Sequence, residues 1–333
     1  MLKFHKILFF NTLILGTLIS ISSFSWLSMW VGLEINLLSI IPLINTKNSY
    51  STESLMKYFI TQTLASLIFI FSMIFLSLIS NMIFKNIIIL SLNSSLFMKM
   101  GAAPLHFWFP VVMEGLSWNL SLLMLTWQKI APFILLSYNL VFSQFMILII
   151  ICSSMIGSIS GLNQISLRKI LTFSSINHLG WMISAISYSL NLWMFYFIVY
   201  SLISTNIIFL FKKLNSFYVK QLISKININK IMKFSFLLNF FSLGGLPPFL
   251  GFLPKWFTVQ ILLDQTLIIL PLILIIFSLI TLFFYVRISL SSLILLHSEF
   301  LTLHPKFNSL MLITMNFFNL ASIYYATLIF NLN

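Results

Sequence analysis

Four ionisable residues lie in the middle of long apolar stretches of this sequence. They are Glu34 in SMWVGLEINLLSII, Lys99 in SLFMKMGAAPLHFW, Lys129 in LMLTWQKIAPFILL and Lys255 in GGLPPFLGFLPKWF. A lone Lys or Asp at the centre of a helix in hydrocarbon costs about 2.5–3.5 kcal/mol even on the mildest scales. Ionisable residues in such places mark routes for ions or protons. The four residues together therefore indicate an ion or proton pathway.

The residue types at these positions favour proton transfer over fixed charge. Three are lysines, which nearby charge can switch between charged and neutral forms, and none is an arginine, which stays protonated. Glu34 is the only acid inside a predicted span, so its natural partner is a lysine on an adjacent helix. A static ion pair that only fixes packing is the alternative. One such pair would leave two lysines unexplained.

Two histidines are candidate supporting sites, because histidine titrates near neutral pH and can shuttle protons. His106 follows the apolar stretch of Lys99, and His178 lies in the middle of LTFSSINHLGWM. A single histidine in a span can equally bond a backbone carbonyl, and that alternative stays open. Thr126, Gln128 and Tyr285 are weaker candidates for contacts along a chain of waters.

Composition restricts the class to polytopic α-helical membrane proteins. Of 333 residues, 60% are hydrophobic and 7% are charged, and the mean hydropathy is +1.06. Soluble domains have about a quarter of their residues charged. The apolar runs are continuous, whereas the strands of a membrane barrel alternate. The one cysteine, Cys152, lies in an apolar run, so we expect no disulfide and no metal site.

About eleven helices are predicted to cross the membrane, since about 20 apolar residues span a bilayer. They cover residues 3–23, 25–45, 54–80, 84–104, 118–138, 142–161, 169–188, 191–211, 233–263, 267–292 and 308–330. We expect one five-helix bundle over 1–138, a second over 139–292, and a loop with a final helix over 293–333.

Basic residues alternate with these spans. The N-terminus and the loops after even-numbered helices carry thirteen Lys and Arg residues, whereas loops on the other side carry only Lys85. By the positive-inside rule the N-terminus faces the cytoplasm, or the matrix in a mitochondrion. The loops account for most of the net charge of +13, so we expect no nucleic-acid partner. The longest polar connection, around 212–233, is too short to hold a nucleotide, haem or iron–sulfur cluster.

The fourth and ninth predicted spans contain helix-breaking residues beside a lysine. Proline removes a backbone donor and clashes with the preceding turn, so such breaks persist only inside protein or along a wet cavity. The breaking residues are Gly101 and Pro104 in the fourth span and Gly244, Gly245, Pro247, Pro248 and Pro254 in the ninth. A simple kink is the alternative. The breaks are five helices apart, and paired breaks in inverted repeats are typical of transporter cores.

This sequence resembles the antiporter-like subunits of respiratory complex I, the NADH:ubiquinone oxidoreductase. The resemblance is carried by MKMGAAPLHFWFP, LTWQKIAPF, LRKILTFSSINHLGW, GGLPPFLGFLPKW and the helix of Glu34, and covers nearly the whole chain. It implies a proton channel of two inverted five-helix bundles with broken helices. Length and composition resemble those of an arthropod version. One departure is Val111, where many relatives have an acid; Glu114 comes later.

The same resemblance implies individual roles. Glu34 matches a carboxylate that faces the neighbouring subunit, and Lys99 matches its ion-pair partner on the first broken helix. Lys129 matches the central lysine, and Lys255 matches the lysine of the second broken helix, near the exit. The two histidines match positions on or near the hydrophilic axis.

The resemblance also implies a location and partners. The expected location is the mitochondrial inner membrane, with the N-terminus on the matrix side. The expected partners are the neighbouring antiporter-like subunit 4, the small subunit 4L, accessory subunits, and lipids such as cardiolipin. No cofactor is expected in this chain, because NADH, FMN, iron–sulfur clusters and ubiquinone are used elsewhere in the complex.

The sequence thus leads to the hypothesis of redox-driven proton pumping with no redox centre in this chain. Two alternatives stay open. The chain is a structural membrane-arm subunit whose charges only lock helices together, or it is a stand-alone cation or proton transporter. The second alternative requires transport by the chain alone, and the lack of a second acidic site speaks against a metal cation.

Overall fold

The computed structural model describes residues 4–44, 49–78, 82–140, 144–226, 230–247 and 249–294. Within these ranges the chain forms fourteen α-helices and one isolated backbone bridge between Ser166 and Tyr218. The helices are α1 (Phe4–Ser22), α2 (Trp26–Ile44), α3 (Ser49–Leu78), α4 (Met82–Met100), α5 (Trp108–Gly115), α6 (Trp118–Leu125), α7 (Trp127–Tyr138), α8 (Gln144–Gly161), α9 (Leu167–Ile186), α10 (Leu190–Leu214), α11 (Val219–Ile226), α12 (Lys230–Gly244), α13 (Phe252–Asp264) and α14 (Ile269–Ile294).

Seven helical segments of the described chain are long and apolar enough to cross a membrane: α1, α2, α3, the pair α6–α7, α8, α10 and most of α14. The fourth, seventh and ninth predicted spans fall on α4, α9 and the pair α12–α13, which carry the buried polar residues and the breaks. The prediction of an all-helical membrane protein is confirmed. The predicted last span, 308–330, lies outside the described residues.

Three local features differ from the predicted helices. A separate short helix, α5, follows the first break, and α11 lies in the connection that the sequence predicts as a loop. The fifth predicted span is divided at Thr126, whose hydroxyl donates to the carbonyl of Leu122 at 2.8 Å. Such a bond competes with the helical pattern, and Pro132 has no N–H for the carbonyl of Gln128. These local effects place a helix start just before Lys129.

The chain forms two compact units, Met1–Ile149 and Ile150–Asn333. In the first unit, α1 packs along α2, and α3 packs against α2, α4 and α5. α4 also packs against α7, which is the helix of Lys129. This arrangement brings the end of one broken helix to the start of another helix that carries a lysine.

α9 is the central helix of the second unit. Residues 170–186 are buried on every side, and α10, α13 and α14 pack against this helix. Its polar side chains therefore find partners inside the unit, and Asn177 Nδ2 donates to Thr281 Oγ1 of α14 at 3.3 Å. Because it is buried all round, α9 can carry polar residues without exposing them to lipid.

Candidate functional site: buried lysines at broken helices

The two breaks are built in the same way. α4 ends at Met100 and α12 at Gly244, and the next residue in each case is a glycine in the left-handed region: Gly101 with φ +75° and Gly245 with φ +77°. In both, the amide of the following residue bonds back to a carbonyl five residues earlier, as in a Schellman cap. Glycine fits here because side chains disfavour positive φ. Of the predicted breaking residues, Pro248 lies outside the described residues.

Neutral side chains donate hydrogen bonds to backbone carbonyls at the first break. Trp108 Nε1 donates to the carbonyl of Met98 at 3.0 Å, and Gln62 Nε2 donates to the carbonyl of Lys99 at 3.3 Å. The peptide bond between Ala103 and Pro104 is cis. Carbonyls freed by a break inside a membrane protein need such partners. The Lys99 ammonium is therefore not used to close the break.

The second break uses its own lysine. Lys255 Nζ donates to the carbonyl of Gly244 at 2.9 Å, and Lys255 itself is 7% exposed. A Cβ added to Gly245 would lie 3.0 Å from both Nζ and Cδ of this lysine. The ring centroid of Trp181 on α9 lies 5.8 Å from Nζ, within the range of a cation–π contact. The ammonium is thus held between a backbone carbonyl and an aromatic face.

Lys129 is the most buried of the three lysines, at 1% exposure in the first turn of α7. Its Nζ lies 5.5 Å from the ring centroid of Phe109 on α5. The same ring packs against Gly101, where a Cβ would lie 3.2 Å from Phe109 Cβ. The glycine of the first break thus admits the aromatic ring that faces Lys129.

Lys99 and Lys129 line one cavity of about 20 Å³ in the first unit. That volume holds about one water molecule. The polar side chains of its wall are Asn36, Tyr58, Gln62, Lys99, Gln128 and Lys129. Gln128 Nε2 donates to Asn36 Oδ1 at 2.9 Å and so joins α7 to α2. The structure therefore brings together two of the four predicted sites around a small polar cavity.

Glu34 lies on α2, partly buried and outside that cavity wall. Lys99 and Tyr58 are both within reach of its charge. No contact of 4.0 Å or less joins the carboxylate to the Lys99 ammonium, although both residues are described. The described residues thus show no direct ion pair between Glu34 and Lys99, and a pairing between these two side chains stays a prediction of the family resemblance.

The two predicted histidines have different surroundings. His106 is 5% exposed in the loop of the first break, where its Nδ1 lies 3.2 Å from the Pro104 carbonyl, and it does not line the cavity of the two lysines. His178 on α9 has its Nδ1 2.9 Å from the hydroxyl of Tyr196. It lines a cavity of about 10 Å³ together with Tyr196, Tyr200 and Pro254, the residue before Lys255.

Several polar residues of the two sites escaped the sequence interpretation. Tyr58 and Gln62 are four apart on α3, and Tyr196 and Tyr200 are four apart on α10. Residues four apart share a helix face, so polar pairs at this spacing inside apolar runs were the available signal. Asn36 gave no such signal. Among the described residues, no cluster of three or more His, Cys, Asp or Glu side chains could hold a metal ion.

Comparison with known proteins places this arrangement among related chains. The family described as NADH:quinone oxidoreductase/Mrp antiporter, TM, matches residues 23–281. The NADH-ubiquinone oxidoreductase chain 2 of Locusta migratoria is 48% identical over 297 residues, which cover 88% of this chain and 87% of the relative. The chain 2 of Anopheles gambiae is 50% identical over 299 residues, with 87% and 86% covered. That of Aedes aegypti is 45% identical over 339 aligned positions, with 99% of both covered.

Solved structures share the fold. A chain of respiratory complex I from Thermus thermophilus superposes with a TM-score of 0.88 over 97% of this chain and 79% of that chain, at 22% identity. A chain of the Mrp complex from Dietzia sp. DQ12-45-1b gives a TM-score of 0.70 over 83% of this chain and 58% of that chain, at 14% identity. At these identities the likeness is one of fold.

Proposed function

This chain belongs to the NADH-ubiquinone oxidoreductase chain 2 family and is an antiporter-like membrane subunit of respiratory complex I, and we propose that it translocates protons through its buried lysines. The enzyme to which it belongs is NADH:ubiquinone oxidoreductase. This chain contributes no redox step in the proposal. Electron transfer elsewhere in the complex drives the movement of protons here.

The observation that carries the proposal is the cavity shared by Lys99 and Lys129. With room for about one water, it lets a proton pass between the two amines by way of that water. Lys99 is within reach of the charge on Glu34, so a change at Glu34 alters the proton affinity of Lys99. A charged Lys99 in turn disfavours a charged Lys129, because like charges repel across a short, poorly screened distance.

In the second unit, His178 and Lys255 take the later steps of this proposal. Both lie on or beside the second break, and both are buried. Lys255 releases its proton outward, and His178 with its tyrosine partner supplies the next one. His106 has a supporting place in the loop of the first break.

The proposal also covers the number of membrane spans, their orientation and the neighbours of this chain. We place eleven spans in two inverted five-helix bundles, over 1–138 and 139–292, with a final helix in 293–333. The N-terminus and the basic loops face the matrix side of the mitochondrial inner membrane. The expected neighbours are subunits 4 and 4L, accessory subunits and cardiolipin. NADH, FMN, iron–sulfur clusters and ubiquinone act in other subunits.

The test is Lys129→Met in the assembled complex. Methionine keeps the length of the side chain and removes the titrating group, so proton transfer through this chain should slow at least about a hundredfold, and fewer protons should move per NADH oxidised. The measurement is the number of protons moved per NADH oxidised in sealed vesicles, with assembly checked on native gels. Lys57→Met is the matched control, because Lys57 is exposed and paired with Glu53. An unchanged proton ratio in assembled Lys129→Met would sink the proposal.

A structural role is the second candidate, and the hydrogen bond from Lys255 to Gly244 favours it for that lysine. In this alternative the Lys255 ammonium stabilises the backbone at the second break and transfers no proton. Lys255→Met would then lower assembly and pumping together. Under the proton-relay proposal, complexes that do assemble with this change still lose pumping per NADH oxidised.

A further inference from the structure

The second unit has a cavity that differs from the lysine sites in its volume and in the residues that line it. It measures about 340 Å³, against about 10 Å³ at His178. Cavities of about 300–1,000 Å³ are typical of small-molecule sites. Its walls come from the end of α8, the α8–α9 connection, α9, α11 and α14. The mechanism proposed above does not use it.

Backbone pairing holds one wall of this cavity in place. The amide of Val219 donates to the carbonyl of Ile165 at 3.1 Å, and the amide of Leu167 donates to the carbonyl of Phe217 at 2.9 Å. These two bonds form the isolated bridge at Ser166 and tie the α8–α9 connection to the start of α11. Ile165 and Val219 both line the cavity. This wall is therefore formed before any ligand binds.

One face of α14 forms the opposite wall. It presents Phe284, Arg287, Ile288 and Ser291 to the cavity, which is the i, i+3, i+4, i+7 spacing of a single helix face. Phe284 packs against the end of α8, where a Cβ on Gly161 would lie 3.0 Å from its ring. This face is thus apolar at Phe284 and carries a guanidinium about one turn later, at Arg287.

Two cations line the cavity without a counter-charge. Lys220 of α11 and Arg287 of α14 are both exposed, and neither has an ion-pair partner in the described part of the chain. Asp264 is the only acidic residue described in the second unit, and it is not part of this wall. The cavity therefore complements an anion.

Arg287 also ends an apolar stripe on the outer surface of α14. Exposed side chains at the same helical spacing precede it: Leu272, Ile276, Leu279 and Phe283, each between 48% and 61% exposed. A stripe of this kind suits a hydrocarbon chain, and a cation at its end suits a negative headgroup. This part of the argument rests on the membrane orientation in the proposed function, which puts the end of α14 on the side of the basic loops, where headgroups lie.

We propose that this cavity binds the phosphate headgroup of an anionic phospholipid. The phosphate lies between Lys220 and Arg287, which donate charge-assisted hydrogen bonds to its oxygens. The acyl chains run down the exposed stripe of α14. A peptide from a partner subunit fits less well, because along α14 the lining changes from a cation at Arg287 to an apolar ring at Phe284, as a phospholipid changes from headgroup to acyl chain.

The test uses the assembled complex in nanodiscs of phosphatidylcholine. A photoactivatable phosphatidylglycerol is added at rising mole fraction, and cross-linked peptides are mapped by mass spectrometry. We expect labelling of peptides from the α8–α9 connection and from 284–291, with saturation at low mole fraction. A photoactivatable phosphatidylcholine at the same mole fractions should label these peptides only weakly.

The double variant Lys220→Gln/Arg287→Gln should raise the half-saturating mole fraction about 25-fold, since each basic residue contributes about fivefold at an anionic surface. Lys212→Gln is the matched control, an exposed lysine near the same end of the unit that does not line the cavity. Native gels and NADH oxidation verify that the variants assemble. Equal labelling by the two lipids overturns the proposal, as does unchanged labelling of the double variant. Lipid labelling of a neighbouring subunit's peptides in place of these peptides overturns it too. None of these results depends on whether the lysines carry protons.

Discussion

The ammonium of Lys255 donates a 2.9 Å hydrogen bond to the carbonyl of Gly244, across the break between α12 and α13. At the first break, Gln62 and Trp108 instead donate to the carbonyls of Lys99 and Met98, which come just before the equivalent position, Met100. One lysine is therefore tied to the backbone of its own break, whereas Lys99 faces a polar cavity. The two breaks share a glycine cap but use their lysines differently.

Lys255→Met should destabilise the second unit. The methionine cannot donate, so the buried carbonyl of Gly244 loses its partner, which costs about 1–3 kcal/mol. We expect earlier release of this chain when the purified complex is heated, followed on denaturing gels of the soluble and complexed fractions. Lys57→Met removes an exposed, paired lysine and should shift release by much less. Equal heat stability of the two variants would mean that the Gly244 bond contributes nothing.

Gly245→Ala should damage the second break, whereas Gly244→Ala should not. Gly245 has φ +77°, and its Cβ would lie 3.0 Å from Lys255 Nζ; the left-handed conformation alone costs about 1–2 kcal/mol for an alanine. At Gly244 the nearest atom to a Cβ is Leu282 Cγ at 3.5 Å, an ordinary contact. The readout is the yield of assembled complex and its proton pumping per NADH oxidised. Equal behaviour of these neighbouring variants would contradict the proposed cap.

The sequence predicted the breaks because glycine, proline and lysine act locally. A glycine followed by prolines within an apolar run ends a helix whatever surrounds it. α4 ends at Met100 and α12 at Gly244, beside Gly101 and Gly245. Helix type and approximate span follow from the same local rules.

Partners across helices could not be predicted in this way. Nothing local in the sequence says that Gln128 meets Asn36, 92 residues earlier, or that Lys99 and Lys129 share a cavity. These contacts depend on which helices pack together, which one sequence does not reveal. The division at Thr126 was also missed, because a threonine inside an apolar run does not by itself reveal that its hydroxyl bonds to the preceding turn.

The bond between Gln128 and Asn36 should show coupling in a double-mutant cycle. Gln128→Leu leaves the buried amide of Asn36 without its partner, and Asn36→Leu does the same to the half-buried amide of Gln128. The double change removes both polar groups and should cost less than the sum of the two. Each single variant should also slow proton pumping, because both amides line the cavity of the lysines. The measurement is heat-induced release of the chain for the cycle, with pumping in vesicles beside it. Strictly additive effects would show that the 2.9 Å contact is not an energetic link.

Tyr196→Phe should slow proton pumping while leaving assembly intact. The hydroxyl of Tyr196 lies 2.9 Å from Nδ1 of His178 and holds the imidazole in one orientation, whereas the ring itself packs edge-on against the histidine with centroids 6.0 Å apart. Phenylalanine keeps the ring and removes only the hydroxyl, so the packing survives and the imidazole turns more freely. We expect a severalfold fall in protons moved per NADH oxidised, with native gels unchanged. Tyr218→Phe is the control, since Tyr218 is 50% exposed and lies on the backbone bridge, away from His178. If Tyr196→Phe pumps like Tyr218→Phe, the hydroxyl has no part in positioning His178 for proton transfer.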